Sequence, residues 1–394
     1  MRCERISEPN KVQSYVLTET TPPPHRLPTL REDLLYLMAL TKIPKIGSVL
    51  AKNLIGYCGG AELVFQQKKS YLLTVPGIGE QMANAIVKAD VLRECEREIK
   101  FIDGKNLRAI TFLDGDYPVR FQRLHDSPVV LYTKGEYDLN YPRTVAIVGT
   151  RKPTAQGTSL CEEIIEDLKP YAPYIYSGLA YGIDATAHQR ALEAGLTTIG
   201  VLGHGFGTMY PAAHRGLAQR MCEQGGLLSE YSSSTKPDTY NFPMRNRLVA
   251  GLSDVVIVVE SAKKGGSLIT ARAANRYGQD VFAVPGRVRD KKSEGCNDLI
   301  RTQQAHLFQS VADLAELLGW SVEATPSRAQ RRLFLDLSEL ERSVLDVMEQ
   351  REETPIDLIA LHTGKVASEL AGVLLELEFK GLVRMLPGKR FVLK

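Results

Sequence analysis

The chain has 394 residues, 44% of them hydrophobic and 24% charged, with a formal net charge of +3. That length exceeds one ordinary domain, so roughly two to four domains are expected, and the composition is that of a soluble globular protein. The six scattered cysteines form no CxxC pair, no apolar run approaches ~20 residues and the start lacks a signal-like apolar core; these facts argue against a disulfide framework, a zinc site, a membrane span and secretion, and predict a cytoplasmic protein with no membrane partner.

In chain order, residues 1–29 are polar and end in Pro22-Pro23-Pro24, which reads as a flexible leader. From Leu30 to about residue 100 the apolar spacing is helical and contains two similar turns, Ile43-Pro44-Lys45-Ile46-Gly47 and Val75-Pro76-Gly77-Ile78-Gly79. This resembles a duplicated helix-hairpin-helix module, in which glycine lets the turn approach a phosphate and the next helix offers unpaired N–H groups. The same pattern equally serves a small helical packing or protein-contact domain. Residues 101–143 read as a connector with a short strand or two.

The core expected over residues 101–320 alternates buried strands with helix-length segments: Val145–Val148, Tyr174–Tyr176, Thr198–Leu202, Leu227-Leu228, Asp254–Glu260 and Val281–Val284. Continuous apolar strands of this kind predict an α/β fold, a Rossmann-like parallel sheet covered on both faces, with ligands bound beyond the carboxyl ends of the strands. Those ends carry the chemistry. Residues 245–301 hold eleven Lys/Arg against six Asp/Glu, which fits an anionic partner.

Gly149, Thr150, Arg151 and Lys152 place a turn, a hydroxyl and charge after the first buried strand. Gly178, Tyr181 and Gly182 make a glycine-rich crossing from strand to helix. Phe242, Arg245, Asn246 and Arg247 bring a ring, two guanidiniums and an amide within six residues, suited to stacking on a base and forking onto phosphate; the alternative is that either arginine pairs with an internal carboxylate. Lys263, Lys264, Gly265, Gly266 and Ser267 would cradle a phosphate at the start of a helix, or the glycines would simply permit close packing. Asp184 and His188, four residues apart, lack a third catalytic group and read as local structure. Gly203-His204-Gly205-Phe206-Gly207 has GxGxG rather than GxGxxG spacing, and no GxxxxGK[ST] loop occurs, so no nucleotide cofactor is expected. His204 and His214 lack spaced ligand partners, so no metal is expected either.

The stretches VAIVGTR (145–151), SGLAYGIDATAH (177–188), FPMRNRLVAGLS (242–253), GGSLITARAA (265–274), VFAVPGR (281–287) and GCNDLI (295–300) stand in order along the chain. Together they resemble the DNA-processing protein A (DprA, or Smf) family over about residues 105–320. The resemblance implies a non-enzymatic binder of single-stranded DNA that forms a homodimer and helps load the RecA recombinase onto incoming strands during natural transformation. It also implies that Arg151 contacts DNA, and it notes Tyr181 where family members often carry lysine. An alternative class is a nucleotide-processing enzyme of the phosphoribohydrolase type, with Glu230, Glu260 or Asp184 as its carboxylate.

Residues 321–336 read as a linker. Residues 337–394 predict three helices, Leu340–Met348, Pro355–His362 and Ala367–Lys380, and a terminal hairpin turning at Pro387-Gly388-Lys389. This resembles a winged helix. Its ten Lys/Arg against eleven Asp/Glu over 331–394 leave Lys365, Lys389 and Arg390 as candidate DNA contacts and make a protein-contact role equally consistent.

Overall fold

The computed structural model describes residues 30–321, 338–349, 354–380, 382–386 and 390–393. The expected leader, nearly all of the expected linker and the hairpin tip with Lys389 lie outside the described residues. The chain divides into two compact units, one ending at Ser321 and one beginning at Val322.

The first unit opens with α1 (Leu30–Lys42), α2 (Ser48–Cys58), α3 (Ala61–Gln66), α4 (Lys69–Leu72), α5 (Glu80–Val87) and α6 (Leu92–Gly104), followed by β1 (Arg108–Thr111), α7 (Val119–Gln122) and β2 (Val130–Gly135). Strands and helices then alternate: β3 (Thr144–Val148), α8 (Ala155–Leu168), β4 (Tyr174–Ser177), α9 (Ile183–Glu193), β5 (Thr198–Leu202), α10 (Arg215–Gln224), β6 (Gly225–Ser229), α11 (Asn241–Gly251), β7 (Val255–Val258), α12 (Ser267–Arg276), β8 (Asp280–Ala283), α13 (Glu294–Arg301), β9 (His306–Leu307) and α14 (Val311–Leu317).

All nine strands form one sheet, ordered β1-β2-β6-β5-β4-β3-β7-β8-β9. From β6 to β9 every neighbouring pair is parallel, while β1–β2 and β2–β6 are antiparallel. The central strands β3, β5 and β7 are buried at every position because helices cover both faces. Within β3, Val145 and Ile147 pack with Cys161, Ile164 and Ile165 of α8. Ala146 and Val148 point the other way, into the cluster with Leu248 and Val249 of α11 and Leu268 and Ala271 of α12. Each such valine, leucine or isoleucine contributes roughly 1.5–3 kcal/mol by leaving water.

The N-terminal helices are not a free module. Leu54 and Cys58 of α2, Val64 of α3 and Ile86 of α5 share one core with Leu107, Val130 and Tyr132 at the β1–β2 end of the sheet. Polar ties reinforce that join: Lys52 Nζ donates to Ser127 Oγ at 2.5 Å, and buried Glu98 accepts from Ser233 N and Oγ at 2.7 and 2.6 Å.

The second unit has helices Glu339–Glu349, Ile356–Thr363 and Ala367–Phe379 and a three-stranded antiparallel sheet of Thr354–Pro355, Arg390–Leu393 and Val383–Leu386. Val344, Leu345, Met348, Ile359, Leu370 and Phe391 form its own core. That is the three-helix, winged arrangement the spacing predicts. Lys365 pairs with Glu369 at 2.9 Å and Lys380 with Glu341 at 2.6 Å, so two of its cations are already offset.

Candidate nucleic-acid interface

The chain enters the parallel sheet at β3, builds outward through β4, β5 and β6, and then crosses back by α11 to start β7 on the other side of β3. The loops leaving β3 and β7 therefore diverge, and this switch point is where open α/β sheets bind ligands. A cleft of about 450 Å³ lies there, lined by Gly149–Arg151, Gly178, Phe242, Arg245, Asn246 and Gly265–Ser267, among others. Four separated stretches singled out from the sequence thus meet in one place.

Glycines make the meeting possible. A Cβ on Gly149 would lie 2.5 Å from the Ile183 side chain, and one on Gly182, which sits at φ +79, would lie 2.3 Å from Thr150 O. The β3 and β4 loops consequently interlock: Ile183 N donates to Thr150 O at 3.2 Å, and Thr150 N donates to Glu260 O at 2.8 Å. Between them Leu179 is held at φ +55, a conformation unfavourable for a side chain bearing a Cβ.

The cations fall into two groups. Arg151, Lys152, Lys263 and Lys264 are exposed. None of them forms an ion pair with the described residues. Arg245 and Arg247 are placed differently. Arg245 is 4% exposed; its Nη1 donates to Gly178 O and Val201 O, and its Nε donates to Asn246 Oδ1 at 3.1 Å. Burial lowers its pKa to about 10, with Asp184 acting in the opposite sense, so it stays charged at neutral pH. Arg247 lies on another side of α11, where it pairs with Glu230 and donates to Asp126 O at 2.7 Å. The internal-pairing alternative describes Arg247 fully, and Arg245 is bonded to backbone carbonyls beneath the cleft.

Asp184 and His188 are buried structural groups. Asp184 Oδ2 accepts from Gly178 N and Ala180 N at 3.2 and 3.4 Å, and burial raises its pKa against the pull of Arg245. His188 is fully buried, contacts Thr198 Oγ1 through Nδ1 at 2.6 Å, and is pushed down to about pKa 3 by burial, hence neutral. His204 bonds to Gly205 O and the Tyr210 backbone, and His214 Nδ1 to Leu179 O; both brace loops. The GxGxG glycines are packing positions: a Cβ on Gly203 would lie 2.7 Å from the Phe242 ring and one on Gly205 1.8 Å from Ser232 O.

Phe242 and Tyr210 form the cleft's other wall, and Tyr181 stands just beside it, sharing a smaller pocket with them. The centroids of Phe242 and Tyr210 are 5.5 Å apart, the Arg151 guanidinium lies 5.8 Å from the Phe242 centroid, and Tyr181 meets the His214 ring edge-on at 4.9 Å. Tyr181 and Tyr210 are 46% and 43% exposed, so part of each ring remains in contact with solvent. At the floor, Asn246 Nδ2 donates to Gly266 O at 3.3 Å, and Ser267 opens α12 behind Gly266, whose N-cap position has no side-chain cap. Gly265 N, Leu268 N and Ile269 N close local turns onto Ala262 O, Gly265 O and Gly266 O at 2.8–3.2 Å, so what the helix start offers an anion is chiefly its dipole and the close approach its glycines allow.

Tyr210 was not among the residues singled out from the sequence, because an isolated tyrosine between loops carries no pattern. The basic run Arg287, Arg289, Lys291 and Lys292, which follows β8 on the same sheet edge, was legible as local charge but had no assigned partner.

A family model described as DNA recombination-mediator protein A matches residues 108–319, and one described as the DprA winged helix domain matches residues 322–389. The chain is 32% identical over 391 residues to Protein Smf of Synechocystis sp., covering 90% of this chain and 98% of that protein. It is 37% identical over 305 residues to Protein Smf of Escherichia coli, covering 75% and 80% respectively. The X-ray structure of DNA processing protein A from Streptococcus pneumoniae matches with a TM-score of 0.62 at 32% identity, covering 73% of this chain and 98% of that one.

Proposed function

The chain belongs to the DNA recombination-mediator protein A family, and we propose on that premise that it binds single-stranded DNA non-catalytically at the cleft between β3 and β7. The observation that carries this reading is the union of exposed cations, which form no ion pair among the described residues, with partly exposed aromatic rings at and beside one cleft. Arg151, Lys152, Lys263 and Lys264 would hold the backbone, with the N-terminus of α12 and the Gly265-Gly266 turn approaching a phosphate. Phe242, Tyr210 and Tyr181 would take bases by stacking, which tolerates any sequence. Tyr181 exchanges a backbone charge for a base contact. Asn246 and Arg245 act from beneath: Arg245 pins the Gly178 loop and Asn246 the Gly266 turn, while Arg247 anchors the far side of α11. In the family reading the protein works as a homodimer in the cytoplasm, with the expected domain limits, and passes its strand to RecA during natural transformation.

Each carboxylate of the enzymatic alternative is bonded within the fold through at least one oxygen, which favours the non-catalytic reading. Asp184 is engaged by two backbone N–H groups, Glu230 pairs with Arg247, and Glu260 Oε2 accepts from Thr154 N and Oγ1 at 2.9 and 3.0 Å.

The test is binding of a fluorescent oligothymidine across a salt series. We expect Arg151→Ala/Lys263→Ala/Lys264→Ala to lose most of the affinity and to make the log–log salt slope shallower by about 2, at roughly 0.7 per phosphate contact on a single strand. Wild-type affinity in the variant would move the DNA site away from this cleft.

A further inference from the structure

The loop after β8 carries a charge run that lies outside the cleft's lining. Its sequence is Pro285-Gly286-Arg287-Val288-Arg289-Asp290-Lys291-Lys292, and it leaves the same carboxyl edge of the sheet as the β3 and β7 loops. Asp290 N donates to Arg287 O at 3.0 Å, closing a tight turn that exposes Val288 at 90%. The base is fastened to α13, since Gly286 and Asn297 exchange two hydrogen bonds of 3.0 Å each. A Cβ on Gly286 would lie 2.1 Å from Ser293 Oγ, so the close approach needs glycine.

Charge within the loop is one-sided for a structural reason. Its single acid, Asp290, is turned inward, accepting from Lys292 N at 3.0 Å and Ser293 Oγ at 3.3 Å. Arg287, Arg289 and Lys291 are exposed and form no ion pair among the described residues. Lys292 reaches across to the β3 loop, its Nζ donating to Lys152 O at 2.8 Å. That bond places the basic turn directly beside Arg151 and Lys152.

We propose that this turn is a second phosphate-contact segment, along which a single strand continues out of the cleft. The inference rests on the reading of the cleft as a single-stranded DNA site. In the order β4-β3-β7-β8 the Tyr181 loop stands on one flank and the basic turn on the other. With strands about 4.8 Å apart, the β8 loop begins roughly 10 Å from the β3 loop. Stacking thus dominates the β4 side and charge the β8 side. The backbone tethers hold the guanidiniums near a fixed track, which reduces the entropy lost on binding.

The test uses the full chain and oligothymidine over a salt series, comparing wild type, Arg287→Ala/Arg289→Ala/Lys291→Ala and Arg151→Ala. Lys292 is kept because it braces the β3 loop. A control, Arg143→Ala/Lys169→Ala/Arg276→Ala, removes equal charge from the opposite edge of the sheet. We expect the loop variant to bind about tenfold more weakly at low salt, with a slope shallower by about 2, and the control to match wild type. A loop variant that behaves as wild type while Arg151→Ala still loses binding overturns this second segment and leaves the cleft reading standing. Equal losses in the loop and control variants also overturn it, as a general charge effect. Unchanged binding by both the loop variant and Arg151→Ala would remove the cleft reading itself.

Discussion

Arg245 and Arg151 show how the same residue type does opposite work at one cleft. Both were visible as candidate phosphate contacts, since a sequence displays charge but not the direction of a side chain on a helix packed on several sides. Arg245 shares its helix face with buried Leu248 and Val249 and meets carbonyls of two loops, whereas Arg151 stands on a loop tip. Gly178 records that difference: a Cβ there would lie 2.5 Å from Arg245 Nη2 and 2.7 Å from Asp184 Oδ2, so the glycine serves a buried polar knot. Removing Arg245 strips the cation opposite Asp184 and leaves Gly178 O and Val201 O without their donor. Arg245→Ala should therefore cost about 3–5 kcal/mol of folding stability in denaturant titrations. Arg151→Ala, on an exposed side chain, should change stability by less than about 0.5 kcal/mol. Equal stability of the two variants would show that Arg245 is not the structural member of the pair.

Among the elements, the two hairpin turns are the clearest case of sequence pattern becoming geometry. Gly77 sits at φ +87, and Lys45, in the equivalent place of the first turn, sits at φ +66. Gly47 and Gly79 follow as extended N-caps of α2 and α5 without side-chain caps. The duplication was legible despite Lys45, because the Pro, Ile and second Gly spacing survives; that lysine also adopts the left-handed form was not, since a substitution does not announce its φ. The turns differ in tolerance. A Cβ at Gly77 would lie 2.8 Å from Leu50 Cδ2, across the interface between the two hairpins. Gly77→Ala should then combine left-handed strain with a clash and cost at least about 1 kcal/mol, read as a lowered melting temperature. An unchanged melting temperature would show that the hairpins yield freely there. The short strands were the least legible elements: β9 has two residues, both exposed, and leaves no periodicity to read.

At the scale of the whole molecule, the buried runs of the parallel sheet gave away its architecture, while the shared core of helices and β1–β2 did not. That core draws Leu107, Val130 and Tyr132 from what reads as a connector, and such long-range packing has no local signature. Its consequence is that the N-terminal helices and the sheet should unfold together. The second unit has its own core and a near-neutral charge balance, so charge does not mark it as the main DNA surface. A chain ending at Ser321 should thus keep one cooperative unfolding transition within a few degrees of the full chain's corresponding transition. It should also bind oligothymidine within about threefold of the full chain at the same salt slope, because the unpaired cations of the cleft and the β8 turn all precede that residue. Calorimetry and the salt titration read these outcomes separately. A stable truncated chain with a slope shallower by 2 or more would place a substantial share of the phosphate contacts in the winged-helix unit.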